Sequence, residues 1–297
     1  MLQPLMGTVV PIVTLFFLFE VSTRISQQVA VAVSSTPLWL DMQGLFALIA
    51  VIAVLNLPLI IAEWVWPGTN ARRRYFEAAK FWVLYLSVGF FWSKVTILIT
   101  TALKIKPLFT WQTQGNANPL LYTLSVVFGI ALSVLIYDFF YYWFHRAQHQ
   151  FPWLWRFHQV HHSIRELNCL NSYHHVAEDI LRFPMVMLPV AFLMKIDSPQ
   201  LVLVSAFVGV WGQYIHSDTR INFGRMRLIV ADNFYHRIHH SVFERHFDKN
   251  FASYVPLWDI LFGTYYKPEN GGLVPVGLAE LPPPKTIADY LFMPFRR

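Results

Sequence analysis

The sequence predicts an all-α membrane protein: about four transmembrane helices, a re-entrant helical hairpin and a cytoplasmic helical cap rich in histidine. Three observations predict it. The 297 residues are 55% hydrophobic and 13% charged, with a mean hydropathy of +0.41, which is too apolar for an ordinary soluble domain. Long apolar runs with few charges recur through the first half. All 12 histidines lie between His145 and His246, a window of roughly a third of the chain where even scatter would place about four.

Taken in order, the apolar runs Leu5 to Phe19, Gly44 to Ala62, Ala78 to Leu103 and Leu120 to Phe144 read as spanning helices. The first is short and has no basic flank at its start, so a cleaved signal competes with a helix there, although no small-residue cleavage site follows. Two further runs, Phe183 to Ile196 and Leu201 to Ile215, would each cover only ~21 to 23 Å of a ~30 Å hydrocarbon core. They read as a re-entrant hairpin turning at Asp197-Ser198-Pro199. Arg72 to Arg74 and Lys80 place the loop before the third helix in the cytoplasm. The segments His145 to Ile180 and His216 onward then share that side, while Lys104 and Lys106 fall on the outer side against the rule. Lys94 reads as a lysine that snorkels to the nearer interface. With no internal repeat or low-complexity tract, 1–297 reads as one domain. It has a stem at 1–144, a cap at 145–182 and 216–270, the hairpin at 183–215 and a C-terminal tail at 271–297.

The formal charge of +6 and pI near 9.4 do not point to nucleic acid, because Lys and Arg are spread singly apart from Arg72 to Arg74. A lipid-facing protein with basic loops accounts for them. The single cysteine, Cys169, excludes an internal disulfide and any cysteine-based zinc or iron–sulfur site, so metal chemistry here uses nitrogen or oxygen. An aromatic content of 17% fits interfacial belts and by itself defines no pocket.

Spacing sharpens the histidine signal. His145 and His149 are an i, i+4 pair, and His158-Gln-Val-His161-His162 and His236-Arg-Ile-His239-His240 share one i, i+3, i+4 pattern. Each set points to one helix face. A lone pair at a helix end is often a polar cap, but two copies of one triplet on the same side of the membrane are not. Neutral imidazoles make a poor core and good ligands for iron, zinc or copper, and eight of them suit two metals rather than one four-coordinate zinc. The cap is therefore expected to hold a dimetal site.

The segment from about Leu124 to Tyr266 resembles the fatty acid hydroxylase and sterol desaturase superfamily of integral-membrane di-iron enzymes. The resemblance rests on Asp138-Phe-Phe-Tyr-Tyr-Trp-Phe-His145-Arg-Ala-Gln-His149, Leu154-Trp-Arg-Phe-His158-Gln-Val-His161-His162-Ser163 and His216-Ser217. It continues in His236-Arg-Ile-His239-His240, Asp248-Lys-Asn-Phe251 and Leu257-Trp-Asp-Ile-Leu-Phe-Gly-Thr264. It implies a four-helix stem, a cytoplasmic cap holding two iron ions, and O2-dependent hydroxylation or desaturation of a membrane lipid such as a sterol or fatty acyl chain. It also implies the ligands: His145, His149, His158, His161, His162, His216, His236, His239 and His240. His175 aligns with a further family histidine, here followed by Val176 where proline is usual. His174 reads as either an outer donor or a surface residue, and His246 as either a substrate contact or a residue without a role. Gly212, one turn before His216, carries no histidine, which separates subgroups without naming a substrate.

Asp138 lies two helical turns before His145 on the same face. A carboxylate there accepts either an imidazole N–H or a partner such as Arg or Tyr. The run Trp258 to Thr264 reads as a packing and turn element closing the cap. No histidine is followed by proline, so the haem motif of a fused cytochrome b5 domain is absent. Electrons are expected from a separate reductase with a ferredoxin or cytochrome b5-like carrier. Two other functions compete: a membrane metal transporter or store, whose ligands belong at bilayer depth, and a zinc-dependent lipid hydrolase on the same scaffold.

Overall fold

The computed structural model describes residues 42–69, 75–112, 118–196, 198–268 and 273–296. The run Leu5 to Phe19, the arginines Arg72 to Arg74 and Asp197 lie outside the described residues. The described chain is mostly helical, and three of its helices are long and apolar enough to cross a membrane: α1 (Met42–Val65), α2 (Tyr75–Ala102) and α3 (Pro119–Gln150). Phe46, Ile61, Ile97, Leu98 and Leu124 are all more than half exposed, the surface a lipid-facing helix presents. Within α1, the buried Asn56 donates its Nδ2 to the Ile52 carbonyl at 2.8 Å, so its amide donor is satisfied by its own helix. Lys94 does not snorkel. It is buried, with its ammonium 5.0 Å above the Phe90 ring.

Helix α3 does the positioning. Asn118 caps it, accepting from Leu120 N (2.9 Å) and Leu121 N, and Pro119 starts it where a missing N–H costs nothing. Twenty residues at about 1.5 Å each cross a core of about 30 Å, and counted from Pro119 they end at Asp138. The last three turns exceed that length and carry His145 and His149 into the cap. Pro152 then breaks the ladder, Phe151 goes extended, and α4 (Pro152–His162) folds back so that its histidines face those of α3.

A loop leads to α5 (Ala177–Arg182), a π-helical turn (Phe183–Met187) and α6 (Leu188–Leu193), which together form the first arm of the hairpin. The second arm is α7 (Ser198–His216), and both arms pack along α3. The hairpin arms are longer than the apolar runs alone imply, because they start at Ala177 and end at His216. Its tip strand β2 (Met194–Ile196) pairs in parallel with β1 (Phe109–Trp111), which belongs to the loop joining α2 to α3 at their end remote from the cap.

The cap is completed by α8 (Asn233–His239), capped by Asp232 through Tyr235 N at 2.9 Å, by α9 (Leu257–Leu261) and by α10 (Ile287–Phe292) with a Thr286/Asp289 capping box. The C-terminal stretch packs back onto the protein: Tyr290 and Met293 join Phe81 of α2 and Val160 and Ile164 in one buried cluster. Glu63, fully buried near the end of α1, accepts from Cys169 N (2.8 Å), Asp218 N (2.7 Å) and the Tyr75 hydroxyl. That carboxylate ties the stem to two loops of the cap.

Candidate metal centre

Helical angles decide which histidines meet. At about 100° per residue, positions i and i+4 differ by about 40° and i+3 falls on the other side of i by about 60°. Each triplet is therefore split. His158 and His162 join His145, His149 and His239 in one group, while His161 joins His216, His236 and His240 in a second. The two triplets exchange roles, since α4 gives its i, i+4 pair to the first group and α8 gives its pair to the second. Within each group all the candidate ligand atoms lie within 4.8 Å of one another.

Tautomers follow from the neighbours. His145 Nδ1 is 2.7 Å from the Phe251 carbonyl, His161 Nδ1 is 3.0 Å from Tyr173 O, His216 Nδ1 is 2.6 Å from Gly212 O and His239 Nδ1 is 2.9 Å from Lys249 O. A carbonyl only accepts, so each Nδ1 carries the proton and each Nε2 is a bare lone pair. His158 Nδ1 donates in the same way to Glu178 Oε2 at 3.1 Å. Yet Nε2 of His145 faces Nε2 of His158 at 3.0 Å, and Nε2 of His161 faces Nε2 of His216 at 3.1 Å. Two bare lone pairs cannot bond to each other and repel at this distance. A shared cation removes the conflict, and about 3.0 Å is the separation of two nitrogen ligands at right angles, each about 2.1 Å from one ion. His236 Nε2 stands 2.9 Å from His216 Nε2, and the buried Nε2 of His239 has no hydrogen-bond partner. The donor set fits one borderline metal ion in each group.

Electrostatics agree. Burial, reinforced by the neighbouring imidazoles, pushes His161, His162, His236, His239 and His240 well below the usual histidine range. Burial pushes His158 down to about 4, with Glu178 opposing it. The rings are neutral at neutral pH, as a ligand must be.

The remaining expectations fall differently. His175 stands outside both groups: its Nε2 is 3.3 Å from Leu291 O, its Nδ1 accepts from Ala177 N at 3.2 Å, and its ring packs on Phe157 and Tyr290. Asp138 reaches no imidazole, arginine or tyrosine hydroxyl; it accepts from the backbone amides of Ser253 (3.0 Å), Tyr254 (3.3 Å) and Val255 (2.7 Å). Asp259 accepts from Phe251 N (2.9 Å), Ala252 N (2.8 Å), Thr264 Oγ1 and the Tyr235 hydroxyl. Together these two carboxylates hold the loop whose Lys249 and Phe251 carbonyls orient His239 and His145. Asn250, in the left-handed region at φ 58°, lets that loop turn and bonds Tyr235 O and Tyr266 O at 3.0 Å each. His246 is buried against Tyr266 with Nδ1 2.8 Å from Ser241 Oγ, away from both groups.

Asp248 Oδ1 lies 3.5 Å from His149 Nδ1, and the buried carboxylate that touches two imidazoles is Glu178, which sequence reasoning missed. Its Oε2 lies 3.1 Å from both His158 Nδ1 and His174 Nδ1 and accepts from Gln148 Nε2 at 2.6 Å. Burial alone would raise its pKa, but the charges and hydrogen bonds of His174 and His158 hold it well below the usual carboxylate range. The His174 ring in turn stacks on His161, 3.8 Å between centroids at 15°. The available signal was the i, i+4 spacing of His174 and Glu178.

The Fatty acid hydroxylase family profile matches residues 130–264, the stretch that holds both histidine groups. Over that stretch the chain is similar to the fatty acid hydroxylase family. The chain is similar to the ornithine lipid hydroxylase OlsE of Rhizobium tropici, 27% identical over 154 residues that make up 52% of this chain and 46% of the relative. It is similar to the human alkylglycerol monooxygenase, 32% identical over 43% of this chain and 28% of the relative. A cholesterol 25-hydroxylase-like protein of Danio rerio is 26% identical over 71% of this chain and 85% of its own length. The chain spans less than half the length of the first two relatives. No solved structure matches the chain.

Proposed function

We propose that this fatty acid hydroxylase relative is a di-iron enzyme that uses O2 to hydroxylate or desaturate a membrane lipid. The observation that carries the reading is the pair of adjoining all-imidazole groups at the cap end of α3, with lone pairs facing one another at about 3 Å. The nine converging histidines would hold the two ions, which when bound supply O2 activation. The names of the relatives, hydroxylases and monooxygenases of lipids, support the class of reaction.

The protein's own residues do the rest. Phe251 O, Lys249 O, Tyr173 O, Gly212 O and Glu178 fix the rings. Buried Tyr142, Phe251 and Ala252 keep water from one flank of the site. Placement beside the hydrocarbon boundary lets a lipid carbon approach from the bilayer. Hydroxylation balances as R–H + O2 + 2 e⁻ + 2 H⁺ giving R–OH + H2O. Desaturation removes two hydrogens and returns both oxygen atoms as water. The two electrons come from a separate reductase with a ferredoxin or cytochrome b5-like carrier, docked on the cytoplasmic face where the cap lies.

The test compares lipid extracts from aerobic cells expressing the native chain or His161→Ala. A lipid that gains one oxygen, or loses two hydrogens, only with the native chain supports the proposal and names the substrate class. Native protein that holds no iron sinks it, as does a lipid product formed equally without O2, which would indicate a hydrolase.

A further inference from the structure

Lys104 and Lys106 sit on the wrong side of the membrane for the charge rule that orients the rest of the chain, and the catalytic reading gives them no task. The fold adds a third lysine to them. Lys195 lies in the hairpin-tip strand β2, which pairs with β1 just beyond Lys104 and Lys106, Thr110 standing opposite Lys195. A cleft of about 380 Å³ opens between the last turn of α2 and this tip, lined by Thr100, Thr101, Lys104 and Lys195 together with apolar residues including Ile105 and Met194.

We propose that this cleft binds the phosphate headgroup of an anionic phospholipid in the leaflet opposite the histidine cap. Four observations support it. The cleft is at the headgroup level remote from the cap, because the opposite end of α2 packs through Ala78 and Phe81 against cap residues and its 28 residues extend about 42 Å. Its lining carries two ammonium groups and no carboxylate. Like charges from two separate elements lining one cleft repel, and an anion between them turns that repulsion into a link between hairpin tip and stem. The sequence from Ala78 to Tyr137 contains no acidic residue, and Glu77 of α2 stands at the opposite end of that helix, so no carboxylate of α2, its loop or most of α3 neutralises them; Asp197, the acidic residue nearest Lys195 in sequence, lies outside the described residues. Finally, the lining is half polar and half apolar, the division that a phosphate and its glycerol ester region present at a membrane interface.

Lys106 supplies the control, since it is exposed on the same face but does not line the cleft. The native chain and Lys104→Gln, Lys195→Gln and Lys106→Gln are purified from nanodiscs containing equal phosphatidylglycerol and phosphatidylcholine, and retained lipid is counted by native mass spectrometry. The expected result is one phosphatidylglycerol per native chain. Lys104→Gln and Lys195→Gln each lower its retention about fivefold, the worth of one basic residue near a phosphate surface, whereas Lys106→Gln leaves it within about twofold. Equal retention of the two lipids, equal loss in all three variants, or displacement by millimolar inorganic phosphate would overturn the assignment, the last by identifying a soluble anion instead. All four proteins should hold the same metal content, which separates this result from the fate of the oxidation chemistry.

Discussion

Replacing Glu178 with alanine separates the two metal positions. The carboxylate is buried and accepts from three side chains, His158 Nδ1 and His174 Nδ1 at 3.1 Å and Gln148 Nε2 at 2.6 Å. His158 belongs to the five-histidine group, and among the described residues Glu178 is the acceptor for its Nδ1. Loss of an acceptor behind a metal-bound imidazole typically lowers metal affinity about 10- to 100-fold, or roughly 1.4 to 2.7 kcal/mol. The four-histidine group takes its orientation from Tyr173 O and Gly212 O and should hold its ion within about twofold, an estimate on the scale of uncoupled sites. Glu178→Gln can keep a carbonyl oxygen at the position that His158, His174 and Gln148 share but removes the charge and sets an amide N–H2 against the His175 backbone N–H, so its loss should fall between native and alanine. The assay is titration with Co(II), read by its visible absorption, in competition with a chelator, alongside circular dichroism to verify folding. Two native affinities in folded Glu178→Ala, or equal weakening of both ions, would refute the assignment of Glu178 to one group.

Two further outcomes follow from the same geometry. Asp138→Ala leaves three backbone amides without their acceptor at about 1 to 3 kcal/mol each, a loss on the order of 5 kcal/mol; thermal unfolding within about 2 °C of native would show that the loop does not depend on it. Gly212→His places an imidazole one turn before His216, the counterpart of the His145/His149 pair, where an added Cβ meets no atom within 4 Å. It should slow chelator extraction of one ion about tenfold, an added 1.4 kcal/mol, and an unchanged rate together with an unchanged Co(II) spectrum would show that the side chain points away from the second group.

The histidine pattern was legible because helix periodicity is local: the angle between i, i+3 and i+4 decides which rings can meet before any tertiary contact exists. The exchange of partners between the triplets was not, because it depends on how α4 folds back after Pro152 and how α8 crosses it. Asp138 shows the same limit. Its place two turns before His145 was readable, and either an imidazole or an Arg or Tyr partner followed from that helix alone. The amides of Ser253 to Val255, more than a hundred residues away, take the carboxylate instead. The hairpin was legible as two short apolar runs, but the length of its first arm was not, since helix continues through polar residues at Ala177 to Arg182. His175 and His174 make the closing case. Adjacent residues point in different directions, and the family position favoured His175. What places His174 beside His158 and His161 is Glu178, four residues on, whose carboxylate one imidazole from each element can share. A buried carboxylate needs donors as much as an imidazole needs an acceptor. The sequence shows which residues can make such a bargain, and only the packed chain shows which pair has made it.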